Sequence, residues 1–252
     1  MIDVQTKGGV ATLTMDRPPV NAFDLDQVTR FEAALDEAAS ESVQTIVIRS
    51  AGRIFSAGAD IKMMAGFLAS DDGAQQLTAF ASRFQTVLNR LADQDAVTIA
   101  AVNGAALGGG LEVAMACDLR IAAEGILLGL PEANIGLLPG GGGTQRLSQL
   151  AGRSFALSTM VLGGTFSAEQ GVARGVITEV VPAISLDSRV EEVVSVLSTR
   201  PHETLMQIKR CVAASGSPAG FYTEVDATRV LASMPSTLEL MRSFLHRRSV
   251  SR

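Results

Sequence analysis

The sequence predicts an α/β protein with a helical C-terminal extension. Short apolar stretches of strand character alternate with helical patterning up to Val181. From about Asp187 onward only helical patterning remains, punctuated by Pro201, Pro218 and Pro235. The chain has 252 residues, 47% of them hydrophobic, enough for one large core. The expected division is a core of residues 1–197 and a helical region of residues 198–252.

The elements follow in order. Met1-Ile2-Asp3-Val4 opens in a strand-like pattern, and Val10 to Met15 alternates as a half-buried strand does. Asp24-Leu25-Asp26-Gln27 has the spacing of a capping box, and Val28, Phe31, Leu35 and Ala38 then recur at helical intervals. Thr45 to Arg49 and Val97 to Val102 are continuous apolar runs that fit buried strands. The second runs into Asn103-Gly104, and a helix follows from about Gly109 to Cys117. A strand is expected near Leu119 to Ala122, a second capping box at Ser167-Ala168-Glu169-Gln170, and a late strand at Ile177 to Val181. No fixed-period repeat or low-complexity tract is visible.

Composition narrows the function. A net charge of −5 disfavours a nucleic-acid partner. Cys117 and Cys211 are too few for a disulfide framework, and a reducing compartment is the simpler reading. The start shows no basic leader, long apolar run or Arg-rich transit pattern, so no membrane partner and a cytoplasmic location are expected, with a mature organellar enzyme whose presequence was removed as the other reading. His202 and His246 fall in the helical tail, and no metal site is expected because no His/Cys/carboxylate cluster has zinc spacing. There is no G-x-S-x-G elbow, no G-x-G-x-x-G fingerprint and no P-loop lysine. The His246-Arg247-Arg248 cluster reads as solvated, with attraction of a phosphate as the other reading.

Two glutamates stand out, each beside a glycine-rich turn. Glu112 follows Gly108-Gly109-Gly110-Leu111 in the first turn of an apolar helix; Glu132 lies between Leu130-Pro131 and Ala133, ahead of Gly140-Gly141-Gly142-Gly143. On residue types alone, the first turn is more commonly just tight packing, while Glu112 alone fits a complement to the helix dipole as well as a functional group. A carboxylate among apolar neighbours nevertheless needs a partner or a task, and two beside glycine loops point to chemistry. Exposed N–H groups at a helix start stabilise developing negative charge, and glycine lets a ligand approach the backbone. A third segment, Ala57-Gly58-Ala59-Asp60-Ile61-Lys62, is equally rich in small residues; by charge alone Asp60 and Lys62 read as a solvated turn. Met63, Met64, Phe67 and Leu68 fit an apolar pocket or a core helix edge. Cys117 reads as a core residue.

The chain resembles the enoyl-CoA hydratase/isomerase (crotonase) family. Arg17 to Ala22, Ala57 to Lys62, Ala100 to Glu112, Leu130 to Arg146, and Ser167 to Gln170 with Gly175-Val176 carry the resemblance, which covers nearly the whole chain. It is weakest in the tail, at Leu238-Glu239-Leu240-Met241. The resemblance implies a crotonase-like spiral of strand–strand–helix turns with a C-terminal helical oligomerisation region that forms homotrimers or homohexamers. It implies an acyl-CoA thioester substrate and no cofactor beyond the coenzyme A that the substrate carries. The amides of Ala59 and Gly109 would form an oxyanion hole, Glu112 would activate water, Glu132 would deliver a proton, and Gly140 would orient Glu132 or the water. Ala57, Gly58, Asp60, Ile61, Lys62 and Val20 would lie against the substrate.

Within that resemblance, the presence of both glutamates implies hydration of a 2-trans-enoyl-CoA to a 3-hydroxyacyl-CoA. A Δ3,Δ2-enoyl-CoA isomerase, or another acyl-CoA reaction on the same scaffold, is the near alternative. A catalytically silent acyl-CoA-binding scaffold and a nicotinamide-dependent enzyme are alternatives of other classes. RNA binding, known for some family members, lacks a basic face here, since the helix from Asp24 to Glu41 is acidic.

Overall fold

The computed structural model describes residues 1–41 and 43–250, without the side chains of residues 247–250, so Arg247 and Arg248 of the tail cluster lie outside the described side chains. Two compact units follow one another, Met1–Ser195 and Val196–Arg252.

The first unit begins with β1 (Ile2–Lys7), β2 (Val10–Met15), α1 (Leu25–Ser40) and β3 (Thr45–Ser50). Next come α2 (Ile61–Leu68), α3 (Gly73–Ala92), β4 (Val97–Val102), β5 (Ala106–Leu107) and α4 (Gly109–Ala116). The unit continues with β6 (Leu119–Ala123), β7 (Leu127–Gly129), a 3-10 turn over Glu132–Ile135, α5 (Gly143–Ala151) and α6 (Arg153–Leu162). It closes with β8 (Thr165–Ser167), α7 (Ala168–Ala173), β9 (Glu179–Val181), a 3-10 turn over Ala183–Ser185 and α8 (Leu186–Ser198), whose last turn enters the second unit.

A six-stranded sheet runs β1-β2-β3-β4-β6-β9, antiparallel only between β1 and β2. A smaller sheet runs β5-β7-β8, and Ser56 joins it through a parallel bridge to Ala106. The chain thus repeats one manoeuvre: a strand in the large sheet, a short strand or bridge in the small one, then a helix. That is the expected spiral of strand–strand–helix turns. β4 is buried at every residue and β3 at all but Arg49, as central parallel strands with both faces covered must be. β2 alternates, with Ala11, Leu13 and Met15 fully inside.

Helix starts follow local chemistry. Asp24 caps α1 by accepting from the Gln27 N–H at 2.8 Å. The reciprocal half of that capping box is absent: the Gln27 amide is buried and hydrogen-bonds nothing among the described residues. At α7 both halves form between Ser167 and Gln170. α3, which the sequence reading does not anticipate, buries Phe80, Phe84, Val87, Leu88 and Leu91 along one face. Its Phe84 ring packs on Phe23 at 5.0 Å and Phe80 at 6.1 Å between centroids. Each such buried ring contributes roughly 1.5–3 kcal/mol. This cluster ties α3 to the glycine turn at the head of α4.

The second unit contains α9 (His202–Ala213), α10 (Pro218–Ala232) and α11 (Pro235–Val250). Pro218 opens α10 at a position where its missing N–H costs nothing, and Ser217 caps it by accepting from the Ala219 N–H. Phe221, Tyr222 and Val225 of α10 are exposed.

Candidate active site

Three segments converge on one cavity of about 480 Å3. The first is the loop after β3. Ser56, fully buried, donates its hydroxyl to the Asn21 carbonyl at 2.8 Å and accepts from the Gly58 N–H at 3.1 Å. Asn21 is itself held: its side chain donates to Ser50 Oγ and accepts from the Arg17 N–H, both at 2.7 Å. The Ala57 N–H donates to the Val20 carbonyl, and Phe23 and Gly58–Asp60 exchange two further backbone bonds. These bonds leave the Ala59 N–H without an acceptor among the described residues.

The second segment is the head of α4. Gly58 has φ of +90°, and a Cβ there would sit 2.8 Å from the Gly109 nitrogen. The Ala59 and Gly109 segments therefore touch through a backbone contact that only glycine permits. A Cβ on Gly109 would meet the Phe84 ring at 3.0 Å, and one on Gly110 would meet the Ser56 carbonyl at 2.3 Å. The Gly109 N–H begins α4 and, among the described residues, donates to nothing, as the first amide of a helix does.

Glu112 follows one turn later and is 2% exposed. Its Oε1 accepts from the Gly143 N–H at 2.7 Å. The third segment, the Pro139–Gly143 loop, is glycine-rich because the carboxylate fills its side-chain space. A Cβ on Gly141 would lie 2.7 Å from Glu112 Oε2, and one on Gly143 would lie 2.9 Å from Oε1. Glu132 begins the 3-10 turn after β7, with its Oε1 2.9 Å from where a Gly108 Cβ would sit. Its Oε2 is buried without a hydrogen-bond partner among the described residues.

Burial governs the ionisation of both glutamates. It pushes Glu112 up to about 7; the Gly143 and Gly141 amides and Arg146 oppose the rise, and the Glu132 charge adds to it. Burial also raises Glu132. Both shifts favour the protonated form, and the charge of Glu132 acts on the titration of Glu112.

Of the residues singled out from the sequence, Ala57, Ala59, Ile61, Gly109, Glu112, Glu132 and Gly140 line the cavity together. Gly58 backs onto Gly109, and Val20 supplies the carbonyl that holds Ala57. Asp60 does not read as a solvated turn: it caps α2 by accepting from the Lys62 and Met63 amides and pairs with Arg17 at 3.1 Å. The Lys62 side chain is exposed outside the cavity lining. Gly140 lines the cavity, but it is Gly143, not singled out from the sequence, whose amide reaches a carboxylate. Met64 lines the cavity, Met63 and Phe67 pack on the core, and Leu68 is exposed. The apolar wall comes mostly from residues not anticipated: Leu77, Phe80, Ala81 and Phe84 of α3, with Leu137 and Leu138. Cys117 is buried in the core. Among the described residues, no cluster of His, Cys, Asp and Glu could hold a metal ion, and no helix is long and apolar enough to cross a membrane.

A spiral of strand–strand–helix turns, with unused amides, a buried Glu112 and a half-buried Glu132 facing one apolar cavity, defines a class. The enoyl-CoA hydratase/isomerase family profile matches residues 5–249, and the chain belongs to that family. A probable enoyl-CoA hydratase of Bacillus subtilis (strain 168) is 41% identical over 170 residues, 67% of this chain and 64% of that protein. A peroxisomal fatty acid beta-oxidation multifunctional protein of Arabidopsis thaliana, MFP2, is 38% identical over 196 residues, 73% of this chain but 27% of that protein. The chain thus spans under two thirds of the length of both relatives. Among solved structures, an enoyl-CoA hydratase from Bacillus anthracis superposes with a TM-score of 0.90 at 28% identity, covering 98% of this chain and 96% of that one.

Proposed function

We propose that the protein is an enoyl-CoA hydratase, which adds water to a 2-trans-enoyl-CoA to give a 3-hydroxyacyl-CoA. The observation that carries this reading is the meeting of Glu112 and Glu132 with the unused Ala59 and Gly109 amides on one cavity. The relatives' names point the same way.

The thioester oxygen sits between the Ala59 and Gly109 N–H groups, and the acyl chain lies along the α3 wall. Water approaches the β-carbon, positioned by both glutamates. Glu112, held by the Gly143 amide, takes a proton from the water as its oxygen bonds to the β-carbon. The alkene electron pair moves toward the thioester carbonyl, and the two amides stabilise the enolate-like charge, each worth ~3 kcal/mol. As the enolate collapses, the α-carbon takes its proton from Glu132, whose partnerless oxygen in a buried setting favours the neutral acid. The proton gained by Glu112 and lost by Glu132 re-equilibrates within the pair, so one water is consumed and the enzyme is restored.

Incubation with 2-enoyl-CoA and 3-enoyl-CoA thioesters of graded length tests the reading. Hydration of the 2-enoyl series supports it; double-bond migration without hydration supports an isomerase instead. The exposed Phe221, Tyr222 and Val225 of α10 support the further proposal of a homotrimer or homohexamer, with the second unit as its oligomerisation region. A monomer by light scattering at micromolar concentration would refute that part.

A further inference from the structure

We propose that Arg146 is a positioning residue for the glutamate pair, clamping the Pro139–Gly143 loop so that its amides stay on Glu112. The inference rests on the reading of Glu112 as the base that activates water. Arg146 lies in the first turn of α5, and its guanidinium spans two elements. Nη1 donates to the Gly141 carbonyl at 2.8 Å, and Nη2 donates to Asn89 Oδ1 of α3 at 2.7 Å. The fit is tight: Gly142 has φ of +104°, and a Cβ there would fall 2.3 Å from Nη1. The clamped residue, Gly141, sits directly against Glu112 Oε2, and two residues on, Gly143 supplies the 2.7 Å amide bond to Oε1.

A clamp of neutral atoms could hold the loop equally well, but a cation also acts on the carboxylate through space. The charged or titratable groups acting on Glu112 are Glu132, which raises its pKa, and Arg146, which lowers it. Those acting on Arg146 are Glu112, Asp93 and Cys117, all favouring its charge against burial. Arg146 therefore does two things for one carboxylate: it fixes the amides that bind the ionised form, and its charge favours that form. Lysine would keep the charge but lose the forked grip on two acceptors.

The experiment compares Arg146→Met, Arg146→Lys and Asn89→Leu with the parent in two readouts. One is the pH profile of kcat/KM for hydration of 2-trans-butenoyl-CoA. The other is the titration of Glu112 by infrared difference spectroscopy against Glu112→Gln, which needs no turnover. Arg146→Met should raise the Glu112 midpoint by about one pH unit. The acid limb of the profile should move alkaline by the same amount, with a loss of about fivefold at pH 7 that recovers toward pH 9. Arg146→Lys should fall between parent and Arg146→Met. Asn89 is exposed, so Asn89→Leu keeps the test open if Arg146→Met does not fold; it should shift both readouts the same way by less. An unmoved midpoint in the folded variants, or a loss equal at every pH, would overturn the proposal. A midpoint that moves while the hydration profile does not would uphold the clamp and refute Glu112 as the base.

Discussion

Burying Glu112 has a stability cost whose pH dependence exposes it. The carboxyl ordinarily titrates near 4.5, and burial in the fold pushes it up to about 7. Between those values the folded protein holds more protons than the unfolded chain, so stability falls as pH rises. The cost is absent well below 4.5, grows through the window and is complete above 7. At ~1.4 kcal/mol per pH unit it reaches about 3 kcal/mol. Glu112→Gln keeps the shape and an oxygen for the Gly143 N–H but never ionises. The variant should therefore gain about 2–3 kcal/mol relative to the parent between pH 5 and pH 8. Denaturant unfolding at both pH values, at fixed protein concentration, measures the difference, which includes the change in Glu132 titration when its neighbour no longer ionises. A stability difference that does not change with pH would refute the burial argument.

Two further outcomes follow from the cavity. Gly109→Pro removes one of the two unused amides, so kcat should fall by ~10² or more. Circular dichroism must first show an intact fold, and near-normal turnover in a folded variant would exclude the role. Ala81 faces Gly140, whose Cβ would lie 3.2 Å from the Ala81 methyl, so Ala81→Phe fills part of the apolar wall. The ratio of kcat/KM for long over short enoyl-CoA thioesters should drop by about tenfold or more. An unchanged ratio would mean that the acyl chain lies elsewhere.

Much of the large sheet is legible in the sequence because β3 and β4 are buried on both faces and read as unbroken apolar runs. The strands of the small sheet are not, because two or three residues carry no periodicity. α3 is missed because it opens with small and polar residues, Gly73-Ala74-Gln75-Gln76, and its apolar face emerges only from Leu77 and Phe80 onward. That omission hid the apolar wall of the cavity. Glu112, Glu132, Ala59 and Gly109 are visible as residue types beside glycine turns. The bond from the Gly143 amide to Glu112 joins positions 31 residues apart, and only the path of the spiral brings them together. Asp60 looked like a solvated turn because its cap depends on backbone geometry and on Arg17, 43 residues upstream.

The central claim is that hydration needs both carboxylates, and the single Glu→Gln variants test it most directly. Hydration of a 2-trans-enoyl-CoA should fall by at least ~10²-fold in folded Glu112→Gln and in folded Glu132→Gln. The double variant should lose far less than the product of the two, because the pair acts as a unit. An isomerase would behave otherwise: Glu132→Gln would be inactive, while Glu112→Gln would still move a 3-enoyl double bond. Hydration that persists in folded Glu112→Gln would contradict the two-glutamate mechanism.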